Sequence, residues 1–166
     1  MPDPLLVDHA GADAHALVAG LTARGQTLAT CESLTAGLLA GTLAGVPGAS
    51  AVLLGGLITY TEATKIALAG VDPLVLATVG PVAAETAREM ATGARQRCAT
   101  TWGLGLTGVA GPEPHGGHAV GTVFLGLAGP DGCDAEELHL AGGRWEIRQA
   151  SVHRAIVALL ARIGDI

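Results

Sequence analysis

The chain has 166 residues, a length that suits a single domain spanning residues 1–166 with a core of its own. Its net charge of −6 and the lack of any run of Lys or Arg disfavour binding to nucleic acid or to anionic membranes. No stretch approaches 18 consecutive apolar residues, and Met1-Pro2-Asp3-Pro4 lacks the pattern of a signal peptide. We therefore expect a cytoplasmic protein.

The composition predicts a core of small aliphatic side chains. Hydrophobic residues make up 49% of the chain but aromatic residues only 2%, so Leu, Val, Ala and Ile must pack together with Gly. The three cysteines, Cys31, Cys98 and Cys133, are widely spaced and odd in number, which argues against a disulfide framework or a zinc ribbon. We expect reduced thiols, with Cys98 and Cys133 acting as small buried or half-buried hydrophobic residues.

The first elements form a βα unit. Ala and Leu at helical spacing predict a helix from Asp13 to Arg24, and Gly25 is a natural stop. The short apolar run 27–31 predicts a buried strand, and 35–44 predicts the helix that follows it. An apolar stretch from Val52 to Tyr60 predicts a second strand.

The middle of the chain is mainly helical. Residues 62–68 predict a short helix closed by Gly70, and Asp72-Pro73 has the pattern of an N-cap with proline at the first helical position. The apolar stripe within Val82–Arg97 alternates with charged positions and predicts an amphipathic surface helix.

The last third of the chain returns to strands. Residues 101–106 and 121–127 predict two strands, and Gly129-Pro130-Asp131-Gly132 is a strong turn signal. The segment 136–140 is therefore expected to pair with 121–127 in an antiparallel hairpin. Helical periodicity over 144–163 predicts a closing helix.

Together these elements predict the α/β class, specifically a three-layer α/β/α sandwich with a mixed, mostly parallel sheet and one antiparallel pair. Ligands of such sheets bind beyond the carboxyl ends of the strands. The strand exits after Thr30 and Leu106 are therefore the expected walls of one site.

Ser33 lies where the first strand gives way to a helix, with the small residues Thr35, Ala36 and Gly37 around the turn. The first amides of a helix lack intrahelical partners and carry the positive end of its dipole, so they can bind phosphate or stabilise an oxyanion. The alternative is that Ser33 or Thr35 is only an N-cap. The pattern alone leaves both interpretations open.

Tyr60 and Lys65 are the only tyrosine and the only lysine of the chain. A lone lysine near the start of a helix is commonly a solvated surface group. A sheltered lysine, however, loses its proton more easily, and a neutral Lys65 could accept a proton from Ser33 with Tyr60 as relay. Cys31 is a further candidate nucleophile or, alternatively, a thiol of the core.

The glycine-rich stretch 107–112 matches neither the dinucleotide fingerprint nor the P-loop. His115 and His118 follow it at a spacing that two metal ligands could have. No third ligand accompanies them, so we interpret them as polar loop residues and predict neither a metal nor a cofactor.

Several motifs become informative when they are taken together. They are Ala29-Thr30-Cys31-Glu32-Ser33-Leu34-Thr35-Ala36-Gly37, Val46-Pro47-Gly48-Ala49-Ser50, Gly55-Gly56-Leu57-Ile58-Thr59-Tyr60, Lys65, Gly70-Val71, Thr107-Gly108-Val109-Ala110-Gly111-Pro112 and Val120-Gly121-Thr122-Val123. From about Asp13 to the last helix, their order and spacing resemble the CinA C-terminal-domain family, the nicotinamide-nucleotide amidohydrolases.

The resemblance implies hydrolysis of the carboxamide of nicotinamide mononucleotide to nicotinate mononucleotide and ammonia, without a metal, in a free-standing protein. It implies that Ser33 is the nucleophile, Lys65 the base and Tyr60 their neighbour. It also implies a pocket for the pyridine nucleotide lined by Glu32, Thr35, Ala36, Gly37, Thr107, Gly108, Ala110 and Gly111. The short chain and its apolar helices further suggest a homo-oligomer.

Two departures from the family pattern motivate a rival hypothesis. Ala36 stands where the family has glycine, and its methyl group is expected to narrow the approach to the backbone. Residues 113–119 replace a run that usually contains a lysine. The rival is a module that binds pyridine nucleotides without hydrolysing them, and a third possibility is a structural partner protein.

Overall fold

The computed structural model describes residues 11–164, and the expectation about Met1–Pro4 lies outside this range. Helices and strands alternate along most of the chain, as predicted. The elements are α1 (Gly11–Ala23), β1 (Leu28–Glu32), α2 (Leu38–Ala44), β2 (Leu53–Ile58), α3 (Glu62–Thr64), α4 (Pro73–Val79), α5 (Ala84–Arg97), β3 (Trp102–Gly108), β4 (Thr122–Gly129), β5 (Gly132–His139) and α6 (Arg144–Gly164).

The five strands form one mixed sheet in the order β2-β1-β3-β4-β5. Strands β2, β1 and β3 are parallel, whereas β4 pairs antiparallel with both β3 and β5. Four strands therefore share one direction, which confirms the mixed, mostly parallel sheet. The expectation of a single antiparallel pair is wrong, because β4 enters the sheet between two strands that run opposite to it.

Helices cover both faces of the sheet and confirm the three-layer α/β/α sandwich. Helices α1, α2 and α6 pack together on one face, over the largest apolar cluster. Helix α5 covers the other face and contacts all five strands, most extensively β3 and β4. No helix within residues 11–164 has both the length and the hydropathy needed to cross a membrane.

Glycines in the sheet let α5 approach closely. A Cβ atom added to Gly105 of β3 would lie 2.6 Å from the carbonyl oxygen of Ala87, and one at Gly126 of β4 would clash with the same carbonyl. Such distances are far below van der Waals contact, so a side chain at either position would push the helix away. This close approach lets α5 pack directly on a sheet that has few aromatic side chains.

The start of α2 differs from its prediction. The helix begins at Leu38 rather than at residue 35, because the preceding turn contains two left-handed residues, Ala36 (φ 48°) and Gly37 (φ 95°). Such residues cannot continue a right-handed helix. The turn from Ser33 to Gly37 is therefore a separate loop between β1 and α2, and we call it the nucleophile turn.

The segment after β2 also departs from a simple helix. Thr61 caps α3 by accepting a hydrogen bond from the amide of Thr64, and the chain then widens into a π-helix over Lys65–Ala69 that ends at Gly70. Single-turn π-helices are frequent at functional sites. Next, the Asp72 carboxylate accepts a hydrogen bond from the Leu74 amide at 2.8 Å, which confirms the predicted cap with proline at the first position.

Candidate active site

A cavity of about 460 Å³ opens beside the carboxyl ends of β1, β2 and β3, where the sequence predicts the site. Its walls come from the segments that follow β1, β2 and β3, from the segment before α5 and from the start of α6. The lining residues are Ser33, Leu34, Tyr60, Thr61, Glu62, Lys65, Pro81, Val82, Thr107, Gly108, Val109, Ala110, Gly111, Glu113, His115 and Arg144.

Ser33 and Lys65 are in direct contact in the wall of this cavity. The Lys65 Nζ donates a hydrogen bond to the Ser33 Oγ at 3.0 Å and a second one to the carbonyl oxygen of Thr59 at 2.9 Å. The backbone amide of Ser33 donates to the Leu106 carbonyl oxygen of β3 at 2.9 Å, which fixes the start of the nucleophile turn. A serine and a lysine that are distant in sequence thus meet at hydrogen-bond distance.

Lys65 is buried, with only 2% of its surface exposed, so the interpretation as a solvated surface group is wrong. Burial lowers the pKa of the Lys65 ammonium below its ordinary value, while the nearby Cys31 and Glu62 oppose this shift. The amine therefore releases its proton more readily than a surface lysine would. In its neutral form it can accept the hydroxyl proton of Ser33.

Glu32, which the sequence predicts to line the pocket, is not among the residues that line the cavity. Its side chain is 1% exposed, and its carboxylate accepts hydrogen bonds from the amides of Gly37, Leu39 and Ala40 at 2.9–3.1 Å. The Thr30 hydroxyl donates a fourth bond at 3.1 Å. Glu32 therefore caps α2 from the end of β1, and it satisfies the amides that were expected to face a ligand.

The rest of the nucleophile turn also lies outside the cavity lining, contrary to the prediction for Thr35, Ala36 and Gly37. The Ala36 amide donates to the Ser33 carbonyl oxygen and the Gly37 amide to Glu32, so neither is available to an oxyanion. The amides of Leu34 and Thr35 have no acceptor within residues 11–164. Of the two residues only Leu34 lines the cavity, whereas Thr35 has no exposed surface, so the Leu34 amide is the remaining candidate for an oxyanion site.

The N-cap interpretation of Ser33 and Thr35 is also wrong. Gly37 occupies the N-cap position of α2, and neither the Ser33 nor the Thr35 side chain caps the helix. The Thr35 hydroxyl is fully buried and makes no hydrogen bond. Ser33 is therefore not used as a cap, and its Oγ contacts Lys65 instead.

Tyr60 lines the cavity but does not connect Ser33 to Lys65 as a relay would. Its phenolic oxygen accepts a hydrogen bond from Arg144 Nη2 at 2.7 Å, and the second terminal nitrogen of Arg144 donates to the Gly111 carbonyl oxygen at 2.8 Å. The guanidinium group thus bridges the loop after β2 and the loop after β3. Tyr60 thus lies at the cavity with an arginine as its hydrogen-bond partner.

The glycine-rich loop supplies the opposite wall of the cavity. Its residues Thr107, Gly108, Ala110 and Gly111 line the cavity as predicted. The Thr107 side chain donates a hydrogen bond to the Pro81 carbonyl oxygen at 2.6 Å, which ties β3 to the segment before α5. The hydroxyl proton of Thr107 is therefore already engaged, although its oxygen can still accept a bond.

The remaining candidates occupy different places. His115 lines the cavity, whereas His118 packs its ring edge-on against Phe124 at 5.9 Å between centroids. Among residues 11–164 no group of three or more His, Cys, Asp or Glu side chains is arranged as metal ligands. Cys31 is completely buried, and burial raises the pKa of its thiol to about 11, so it is a core thiol rather than a nucleophile.

Arg144 is a site residue that the sequence motifs do not predict, because it lies 84 positions after Tyr60 and still further from Ser33. One signal is present in the sequence. Arg144 is the first residue of α6 and Arg148 lies one turn later, which places two cations at the helix end where the dipole disfavours positive charge. Arginines in this position indicate a role other than helix stability.

The model of the CinA C-terminal domain matches residues 12–163. A CinA-like protein of Frankia casuarinae is 48% identical over 136 residues, which cover 82% of this chain and 31% of that protein. A CinA-like protein of a Cyanothece species is 45% identical over 141 residues, which cover 82% of this chain and 33% of that protein. The chain thus spans about a third of the length of these relatives.

Solved structures agree with the fold. The competence/damage inducible protein CihA of Agrobacterium tumefaciens superposes with a TM-score of 0.88 at 35% identity, covering 92% of this chain and 94% of that one. A competence-damaged protein (CinA) superfamily protein of Escherichia coli gives a TM-score of 0.89 at 29% identity, covering 93% and 91%.

Proposed function

The chain belongs to the CinA C-terminal domain family, and from this premise we propose that it hydrolyses the carboxamide of nicotinamide mononucleotide to nicotinate mononucleotide and ammonia. The contact between Lys65 and Ser33 in the cavity carries the proposal. A buried lysine with a lowered pKa beside a serine hydroxyl is the arrangement that activates a serine without histidine.

The cavity suits the size and charge of this substrate. Its volume of about 460 Å³ lies in the usual range for small-molecule sites. Arg144 presents a positive charge beside the glycine-rich loop, and we assign the phosphate to this arginine and to the amides of the loop. The carboxylates of Glu62 and Glu113 line the same cavity and complement the positive pyridinium ring.

In the first half of the reaction, neutral Lys65 takes the hydroxyl proton of Ser33 as the Oγ attacks the carboxamide carbon. The carbonyl oxygen becomes an oxyanion, which the unpaired Leu34 amide stabilises. The C–N bond then breaks as Lys65 delivers its proton to the departing nitrogen. Ammonia leaves, and the nicotinoyl group stays on Ser33 as an ester.

In the second half, Lys65 is neutral again and removes a proton from a water molecule that attacks the ester. The resulting oxyanion collapses, the bond to Ser33 Oγ breaks, and the proton held by Lys65 returns to the serine. Nicotinate mononucleotide leaves. Each half uses Lys65 once as base and once as acid, so no other proton carrier is needed.

The test is ammonia release from nicotinamide mononucleotide by the wild type, Ser33→Ala and Lys65→Met. We expect turnover by the wild type and a loss of about 10³-fold or more in turnover rate for both variants. Ser50→Ala is the matched control, because Ser50 is exposed on the surface and should keep full activity. Full activity in Ser33→Ala or Lys65→Met would refute the dyad.

The second candidate is a module that binds the nucleotide without hydrolysing it. The left-handed Ala36 in the nucleophile turn favours this alternative, since the turn is strained where the family has glycine. Binding of nicotinamide mononucleotide by calorimetry without release of ammonia would support it. The cytoplasmic location, the homo-oligomeric state and the single domain over 1–166 stay predictions.

A further inference from the structure

Glu62 lines the cavity and has no ion-pair partner in the described part of the chain. It is the first residue of α3, three positions before Lys65, and it is exposed. Thr61 and Thr64 cap this helix through their own side chains, so the cap does not use the Glu62 carboxylate. That carboxylate is therefore free to interact with a molecule in the cavity.

The Glu62 carboxylate lies close enough to the reacting side chains to act on them. Its negative charge opposes the lowering of the Lys65 pKa by burial. Lys65 Nζ is in turn 3.0 Å from Ser33 Oγ, and all three residues line the cavity. Glu113 is the other carboxylate of the lining, but it is not among the charges that act on the Lys65 pKa. Glu62 is thus the carboxylate nearer to the dyad.

The positive charge of the cavity is kept apart from Glu62. Arg144 donates hydrogen bonds to the Tyr60 phenolic oxygen and to the Gly111 carbonyl oxygen, and both acceptors are uncharged groups. Among residues 11–164 no ion pair joins this arginine to Glu62 or to Glu113. A cavity with separate, unpaired groups of both signs suits a ligand that carries both charges, such as a phosphate and a pyridinium ring.

The geometry of attack brings the positive ring of the proposed substrate into this part of the cavity. The carboxamide carbon must approach Ser33 Oγ to about 3 Å. The ring nitrogen of nicotinamide lies about 4 Å from that carbon, so the charge of the ring comes within roughly 7 Å of the serine oxygen in any orientation. A neutral Lys65 offers Glu62 no positive charge, and the ring supplies one instead.

We propose that Glu62 is a specificity-determining residue that selects a positively charged pyridinium ring over a neutral ring of similar shape. The inference rests on the proposed function, since it places the carboxamide at Ser33. The neutral counterpart is the reduced mononucleotide, whose dihydropyridine ring carries the same carboxamide, ribose and phosphate. The site therefore distinguishes the two oxidation states of the ring by charge.

The test compares the binding of the oxidised and the reduced mononucleotide by calorimetry. Both are titrated into Ser33→Ala, which keeps Glu62 but lacks the nucleophile. Binding is compared rather than turnover, because the carboxamide on the reduced ring is intrinsically less reactive towards attack. We expect Kd for the oxidised form to be about three- to tenfold lower than Kd for the reduced form, the effect of one partly exposed charge pair.

Substitutions of the two carboxylates, made in the same Ser33→Ala protein, assign this preference to one residue. In Glu62→Gln, Kd for the oxidised form should rise about three- to tenfold, while Kd for the reduced form changes less than about twofold. Glu62→Asp keeps the charge and should retain a preference for the oxidised ring. The matched control is Glu113→Gln, which removes the other carboxylate of the lining and should also retain the preference.

Three results would overturn the inference. The first is equal Kd values for the two ring forms while Glu62 is present. The second is a preference that survives in Glu62→Gln, or one that is lost in Glu113→Gln instead. The third is an equal loss of affinity for both ring forms in Glu62→Gln, because a merely structural role of Glu62 would weaken both alike.

Failure of the proposed function gives a different result. If the wild type releases no ammonia but the oxidised ring binds more tightly through Glu62, hydrolysis is rejected and the selectivity is supported. If the wild type releases ammonia but the two ring forms bind equally, the function is supported and the inference is wrong. If neither ring form binds, both are wrong.

Discussion

Lys65 Nζ lies 3.0 Å from Ser33 Oγ although 32 residues separate the two in sequence. The contact joins the loop after β1 to the π-helix after β2, and both side chains are largely buried in the wall of the cavity. The same contact governs how the proposed activity depends on pH, because only the neutral amine can accept a proton.

We expect kcat/KM to rise with pH as Lys65 loses its proton. Burial lowers the pKa of Lys65, so the midpoint should fall below the ordinary lysine value of about 10.5. The measurement is the rate of ammonia release from about pH 6 to about pH 11, a range that includes the ordinary lysine value. Lys65→Arg should be inactive over the whole range, since arginine keeps its proton. A midpoint at or above the ordinary value would contradict this role of Lys65.

Glu32→Gln should destabilise the fold. The Glu32 carboxylate accepts bonds from three backbone amides and a hydroxyl in a buried place, and an amide group there would turn one acceptor into a donor facing other donors. We expect a loss of about 2–4 kcal/mol in the free energy of unfolding, measured by chemical denaturation.

Glu136→Gln is the control for this experiment. Glu136 is also a glutamate but is exposed, and its single ion pair with Arg154 should contribute less than about 1 kcal/mol. If both variants lose the same stability, the carboxylate of Glu32 is not the cap that its geometry indicates.

Ala36→Gly tests whether the methyl group at this position impairs the site. Ala36 has a φ of 48°, a conformation that costs a residue with a side chain about 1–2 kcal/mol and costs glycine much less. We expect the free energy of unfolding to rise by about 0.5–1 kcal/mol. Since Ala36 does not line the cavity, kcat/KM should change less than about twofold.

Ala40→Gly is the matched control, because Ala40 lies inside the right-handed helix α2. The same substitution should there lower the free energy of unfolding by about 1 kcal/mol. A large gain of activity in Ala36→Gly would show that the methyl group obstructs catalysis, as the rival binding-module hypothesis holds.

Tyr60→Phe separates binding from proton transfer. The phenolic oxygen contacts Arg144 and neither Ser33 nor Lys65, so its loss should disturb the arginine that we assign to the phosphate. We expect KM for nicotinamide mononucleotide to rise about three- to tenfold, while the turnover rate stays within about threefold of wild type. Steady-state kinetics check this. A turnover rate lowered by about 10²-fold or more would support the hypothesis that Tyr60 relays a proton between Ser33 and Lys65.

The fold was largely predictable because hydrophobic periodicity is a local property. The strands within residues 27–31 and 101–106 and the helices around α5 and α6 follow from patterns inside each segment. The start of α2 was not predictable in this way. It depends on Glu32, whose carboxylate reaches forward by five to eight residues and moves the cap from Ser33 or Thr35 to Gly37.

The site was predictable where it is formed by residues that are rare in the chain or stand at a distinctive position. Ser33, Tyr60 and Lys65 are singled out by their position or by their rarity, and all three line the cavity. Their hydrogen-bond partners could not be predicted, because Arg144 and Arg148 come from a helix at the other end of the chain. Only three-dimensional packing brings α6 beside the nucleophile turn.

The uniqueness of Lys65 gives the molecule a chemical property of its own. It is the only lysine of the chain, and it is almost completely shielded from solvent. An acylating reagent added to the folded protein therefore has no competing ε-amine on the surface, and it reaches Lys65 through the cavity that this residue lines. The rate of acylation then reports how accessible the bottom of the cavity is, without any engineered label.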